Sequence, residues 1–257
     1  MIYVMLSRVC SLDQIFILNK FDRSKMYPSL QALEELKRLE NISINRNPTE
    51  WEAASNKNIK ISSLNCRSMK KHLADIKSDE NLLQSDLIIL QETWLEADDI
   101  QDDFNINGYT LHLNSRGKGK GIAIYFRNCF KHKMDVKEDQ MQLSKFISTN
   151  LTVVALYKSQ KESQATLNQV IETMTKSDPT VLVLGDFNFC YLDDTSKTTK
   201  NYMKNRNFEQ LIREPTHIEG NLLDQAYIRD MENTLDVTGD IQGKYYTDHK
   251  ALNIIIR

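Results

Sequence analysis

Short polar blocks recur along the chain, each beside an apolar run: Leu64-Asn65, Gln91-Glu92, Gly185-Asp186-Phe187-Asn188, Leu223-Asp224 and Asp248-His249. They supply carboxylates, carboxamides and one imidazole beside a carboxylate, a set suited to hydrolysing an anionic ester. A phosphodiester repels nucleophiles, so its hydrolysis needs a cation to neutralise developing charge and a positioned base for water. Oxygen ligands of this kind suit magnesium, with manganese as a substitute, whereas zinc would call for histidine and cysteine. A histidine bonded to a carboxylate is held in one tautomer and is more readily cationic, which lets it face a phosphorane-like oxygen. Taken singly, a strand-end Asp or Asn is by default a cap or turn residue. The conjunction in this order carries the signal.

Apolar runs must position these blocks. Strands are expected at Ile59–Leu64, Leu87–Leu90, Gly121–Phe126, Leu151–Tyr157, Val181–Leu184, Gln225–Ile228 and Ala251–Ile256. Helices are expected at Met69–Gln84, Gln164–Lys176 and Thr198–Leu211, giving a mixed α/β plan with the polar blocks at strand ends, where such folds place their sites. Upstream, two short apolar strands within Ile2–Leu18 precede a helix over Ser29–Glu40 whose leucines 30, 33, 36 and 39 keep helical spacing. Turn formers such as Asn45, Asn47, Pro48, Ser55 and Asn56 then mark a linker. The expected domains are 1–45, a linker at 46–57, and 58–257.

Bulk composition narrows the setting. The 257 residues are 40% hydrophobic and 26% charged, enough for a full core. Lys and Arg total 33 against 35 Asp and Glu, a formal charge of -2, so contact with nucleic acid must rely on a local patch. The four cysteines (Cys10, Cys66, Cys129 and Cys190) form no C-x-x-C pair, and a reducing compartment is the default. No membrane span or signal peptide is read, so a soluble intracellular protein is expected. His72, His112 and His132 are read as surface residues without a role.

The blocks LNCRS, LQETW, GDFNF, LLDQA and TDHKA resemble the endonuclease/exonuclease/phosphatase family of magnesium-dependent phosphoesterases over roughly Lys57 to Arg257. That resemblance implies a four-layer α/β sandwich, two mixed β-sheets face to face and flanked by helices, with the site at one rim. It implies Glu92 as the main metal ligand and Asp248 as a second. Asp186 would orient or deprotonate water, and Asn188 and Asn65 would hold phosphate and water. His249, steadied by Asp224, would face the phosphate oxygens, and Tyr157 matches the family's phosphate-contacting tyrosine. One position departs: two residues after the first asparagine, where many members are acidic, stands Arg67, readable as a phosphate contact or as a salt-bridged structural arginine.

The periphery bears on substrate. In SRGKGKGIAIYFRN, Arg116, Lys118, Lys120 and Arg127 surround a glycine-rich turn that could follow a DNA backbone; a solvated hairpin tip is the plain alternative. That segment, with EPTHIEGNLLDQAYI, is most similar to endonucleases of mobile elements. Residues 1–45, with Ser7-Arg8, resemble the C-terminal end of a Helitron-type helicase, and no Walker A loop precedes them. The expectation is a transposon-derived DNA endonuclease that leaves a 3′-hydroxyl and works in the nucleus. Its rivals are a same-fold esterase acting on RNA or a small phosphate, and an inactive DNA-binding relic.

Overall fold

The computed structural model describes residues 58–114, 117–128, 133–138, 142–148 and 151–257. The segment read as a helicase remnant, the linker up to residue 57, Arg116 and His132 lie outside the described residues. The strands are β1 (Ile59–Asn65), β2 (Leu87–Gln91), β3 (Tyr109–Asn114), β4 (Ile122–Arg127), β5 (Lys133–Glu138), β6 (Gln142–Ser148), β7 (Leu151–Tyr157), β8 (Thr180–Asp186), β9 (Glu209–Gln210), β10 (Asp224–Asp230), β11 (Val237–Gln242) and β12 (Ala251–Ile256). The helices are α1 (Met69–Ser78), α2 (Gln164–Thr175) and α3 (Lys197–Asn205).

Two mixed sheets result, ordered β11-β12-β1-β2-β4-β3 and β5-β6-β7-β8-β10-β9. Each holds one parallel pair, β1–β2 and β7–β8, joined through a helical crossover, as parallel neighbours require. Alternation along the strands builds the layers. Ile61, Leu87, Ile89, Val153, Ala155, Leu182 and Leu184 fill the core between the sheets. Their neighbours point outward: Ile88, Leu90 and Tyr125 pack with Met69 and Ile76 of α1. On the second sheet Val154, Leu156, Val181 and Val183 pack with Leu167, Ile171 and Met174 of α2 and Met203 of α3. Since both faces are buried, the central strands are continuous apolar text rather than alternating. The arrangement is the four-layer α/β sandwich expected.

Ends of elements differ from the sequence expectation in places. Helix α1, capped by Ser68 Oγ accepting from the Lys71 amide at 3.3 Å, stops at Ser78 because Asp79 turns extended; only a short 3-10 turn, Leu82–Gln84, follows. Asp79 Oδ1 accepts the amides of Asn81 and Leu82, which competes with helix continuation. Helix α3 ends at Asn205, not Leu211, since Asn207 takes a left-handed conformation and Glu209–Gln210 then pairs with β10. Strands β3, β5, β6, β9 and β11 were not anticipated.

Candidate active site

Register sets the polar blocks side by side. Across the second sheet Tyr157 pairs with Asp186, and Asp186 with Asp224, so three adjacent strands present their chemistry in one row. In the first sheet Asn65 pairs with Gln91, which places Glu92 beside Asn65, and β12 begins just after Asp248-His249. Because the sheets pack face to face, both rows meet at one rim.

Hydrogen bonds join the two rows. Asn65 Nδ2 donates to Glu92 Oε1 at 2.9 Å and to Asp186 Oδ2 at 2.9 Å, one amide bridging carboxylates from different sheets. Its own Oδ1 accepts the Arg67 amide at 3.1 Å, which fixes the flip of the carboxamide. Glu92 also accepts from Tyr157 Oη at 3.3 Å and Trp94 Nε1 at 3.1 Å. Asp186 Oδ1 accepts the Asn188 amide at 2.8 Å, and Asn188 Nδ2 donates to the Lys158 carbonyl at 2.9 Å. His249 Nδ1 lies 2.8 Å from Asp224 Oδ2, both buried. Asp186, Asp224 and His249 each bring a donor atom within 4.8 Å of the other two.

Backbone strain collects here. Arg67, Ser68, Glu92, Trp94 and Asn188 all have positive φ without being glycine, conformations that cost energy and persist where surroundings impose them. Gly185, at φ +141°, precedes Asp186 where a Cβ would collide with the Leu156 carbonyl, so the β7–β8 approach requires glycine.

Electrostatics divide the roles. Burial, with the Asp224 carboxylate next to it, pushes Asp186 well above the usual carboxylate range. Burial alone would lower the basicity of His249, but Asp224, with Asp186 and Asp248, raises it to about 9, so the imidazole is cationic at neutral pH. Burial, reinforced by Glu92, raises Tyr157, which stays a protonated donor. The Cys66 thiol next to Asn65 is pushed up to about 12 by burial and is no nucleophile.

Asp248 is engaged differently. Its Oδ2 pairs with Arg67 Nη1 and lies 3.3 Å from His217 Nε2, while Oδ1 is 3.9 Å from His249 Nε2. Burial opposes ionisation of Asp248, but His249, Arg67 and His217 hold its carboxyl below the ordinary range. His217 went unnoticed in the sequence, as did Trp94 and Thr216, whose Oγ1 accepts the amides of Leu223 and Asp224 at 3.0 and 2.9 Å. Their signals were faint: a tryptophan two residues past Glu92, and Thr216-His217 opening a tight turn before Leu222-Leu223-Asp224. The sequence profile of the Endonuclease/Exonuclease/phosphatase family matches residues 62–249.

The chain belongs to that family.

Comparison with curated proteins by sequence finds no match. Among solved structures the chain is similar to a 3′ phosphatase, NExo, from Neisseria bound to product DNA hairpin, at 16% identity and TM-score 0.61, covering 76% of this chain and 98% of that one. It is similar also to the endonuclease domain of TRAS1, a telomere-specific non-LTR retrotransposon, at 13% identity and TM-score 0.62, covering 78% and 98%. An AP endonuclease from Archaeoglobus fulgidus matches at 16% identity and TM-score 0.62, covering 76% and 98%. At these identities the likeness speaks to the fold. The Endonuclease/Exonuclease/phosphatase family is one of nucleases and phosphatases, and this chain has its hydrolase fold.

Within that family frame, the peripheral cations separate. The Lys118 ammonium sits 5.9 Å from the Trp94 ring, and the Gly119 and Lys120 carbonyls accept from Tyr157 Oη and the Trp94 amide, so the glycine-rich turn borders the site. Arg127 does not: it lies at the far end of β4, bonding Asp86 and the Leu83 and Ser85 carbonyls, because β4 runs antiparallel to β2. His72 is buried against Tyr246 rather than on the surface, and His112 packs edge-on to Phe126. Among the described residues no helix is long and apolar enough to cross a membrane.

Proposed function

We propose that this chain is a magnesium-dependent phosphodiester hydrolase that nicks DNA and leaves a 3′-hydroxyl. The observation that carries this is the bridge Glu92–Asn65–Asp186 with His249 beside it: a carboxylate free to take a cation, a base and an electrophile meet at one rim. Glu92 fits a hard divalent ion. Its oxygens accept from the neutral groups Asn65, Tyr157 and Trp94, and among the described residues no ion pair reaches it. When bound, the ion neutralises charge on the phosphate.

The protein's own groups divide the remaining work. Asp186, with raised proton affinity, takes a proton from water held near its carboxylate. Asn188 and Asn65 fix that carboxylate through their amide donors, and protonated Tyr157 donates to Glu92 at the same rim. Cationic His249 presents Nε2, the nitrogen not bonded to Asp224, to the developing oxyanion. In this reading Lys118, Lys120 and Arg116 follow the DNA backbone, and residues 1–45 are the remnant of a transposon helicase, a reading their sequence alone supports.

Supercoiled plasmid, oligo(A) and an inositol phosphate offered under one condition test the substrate. The expected result is conversion of plasmid to open circles, abolished by EDTA, with little turnover of the other two. Hydrolysis of oligo(A) or inositol phosphate in preference to plasmid would transfer the site to the rival esterase reading.

A further inference from the structure

Two residues after Asn65 stands Arg67, and its surroundings give it a role. The backbone at Arg67 and Ser68 is left-handed, at φ +45° and +98°, and the Arg67 amide is tied to Asn65 Oδ1. This turn carries the guanidinium to the last loop, where Nη1 pairs with Asp248 Oδ2 across 181 residues of sequence. The same oxygen faces His217 Nε2 at 3.3 Å, and Oδ1, buried and without a hydrogen-bond partner among the described residues, faces His249 Nε2 at 3.9 Å. Asp248 is thus ringed by three basic side chains. Glu92 is bonded only by neutral donors, and among the described residues no cation pairs with it. One carboxylate is neutralised by the protein itself and the other is left for an ion.

We propose that Arg67 stands in for a second metal ion: the site takes one divalent cation, at Glu92, and the guanidinium held by Asp248 is the other positive charge on the substrate phosphate. The inference rests on the phosphodiesterase reading above. A divalent ion brought to Asp248 would sit against a like-charged guanidinium, a repulsion that weak screening in a partly buried site leaves strong. Half of the Arg67 side chain is exposed, and only one of its five N–H donors is engaged by Asp248, so the remaining fork can engage phosphate oxygens in the paired geometry guanidinium favours. His217 Nε2 contacts the same Asp248 oxygen at 3.3 Å, which helps hold the carboxylate that seats the guanidinium.

Manganese binding to the full chain, counted by electron paramagnetic resonance, separates the possibilities, with plasmid nicking measured on the same samples. Wild type is expected to bind one Mn2+ per chain, and Arg67→Asp two. Arg67→Ala, which unmasks Asp248 without adding a ligand, is expected to bind a second ion more weakly than Arg67→Asp and to raise the plasmid KM about tenfold. Thermal melts establish folding; should Arg67→Asp fail to fold, Arg67→Ala alone decides. Two ions on wild type, or one on both folded variants, overturn the role of Arg67. Wild type that nicks with two ions leaves the nuclease reading intact, whereas wild type that neither binds Mn2+ nor nicks refutes that reading as well.

Discussion

Burial and the Asp224 carboxylate raise the proton affinity of Asp186, while Asp224 keeps His249 charged, so at neutral pH a carboxyl of raised proton affinity lies beside a cationic imidazole, the pair the proposed mechanism uses. The imidazole makes a prediction for metal-free protein. Its folded pKa of about 9 lies above the ordinary histidine value of 6.5, so its stabilisation is complete below pH 6.5 and is lost as pH rises through 9. At ~1.36 kcal/mol per pKa unit the loss is on the order of 3 kcal/mol. Melts from pH 6 to 10 should show wild type losing stability relative to His249→Gln; parallel curves would contradict it. Trp94 offers a second check at this scale. Trp94→Phe deletes the donor to Glu92 Oε2 and should raise the Mg2+ needed for half-maximal nicking roughly tenfold, as loss of a partner behind a metal ligand does. An unchanged Mg2+ titration would remove that role.

Elements hold the last loop in place. Lys244 and Asp79 form a buried ion pair at 2.6 Å, Tyr246 Oη donates to Asp79 at 2.9 Å, and Tyr245 Oη donates to Asp75 at 2.5 Å, fastening the residues before Asp248 to α1 and the turn behind it. Removing one partner leaves the other charge buried, so Asp79→Ala should cost about 3–5 kcal/mol in denaturant unfolding. Asp79→Leu with Lys244→Met should recover the part owed to the unpaired lysine, while the Asn81 and Leu82 amides and Tyr246 Oη stay without their acceptor; no difference between Asp79→Leu and the double variant would refute the pair. Gly185→Ala should destabilise the β7–β8 junction by about 2 kcal/mol or more, since both its φ and the Leu156 carbonyl forbid a Cβ. Legibility in the sequence follows the same geometry. Central strands such as β2, β7 and β8 were readable because burial on both faces makes them apolar throughout. Four of the five unanticipated strands, β3, β5, β9 and β11, are the sheet edges, where text such as VTGDIQ mixes with loop composition; the fifth, β6, lies inside its sheet, and its sequence QLSKFIS lacks the continuous apolar run of the central strands. The polar blocks stood out because they end apolar runs. His217 did not, because its meaning depends on Asp248, 31 positions away, a contact only the folded chain supplies.

For the whole molecule, a formal charge of -2 leaves the proposed DNA contact to the few cations at the rim, so nicking should weaken with salt. The sandwich itself is common to enzymes of varied chemistry, and the proposed function therefore rests on groups from both sheets acting on one phosphate. The most direct test compares plasmid nicking by wild type, Asp186→Ala, His249→Ala and the double variant in Mg2+. Each single change should cost roughly a hundredfold or more, and the double little beyond the worse single, as groups acting as a unit do. Folded single variants that nick at the wild-type rate would contradict the account.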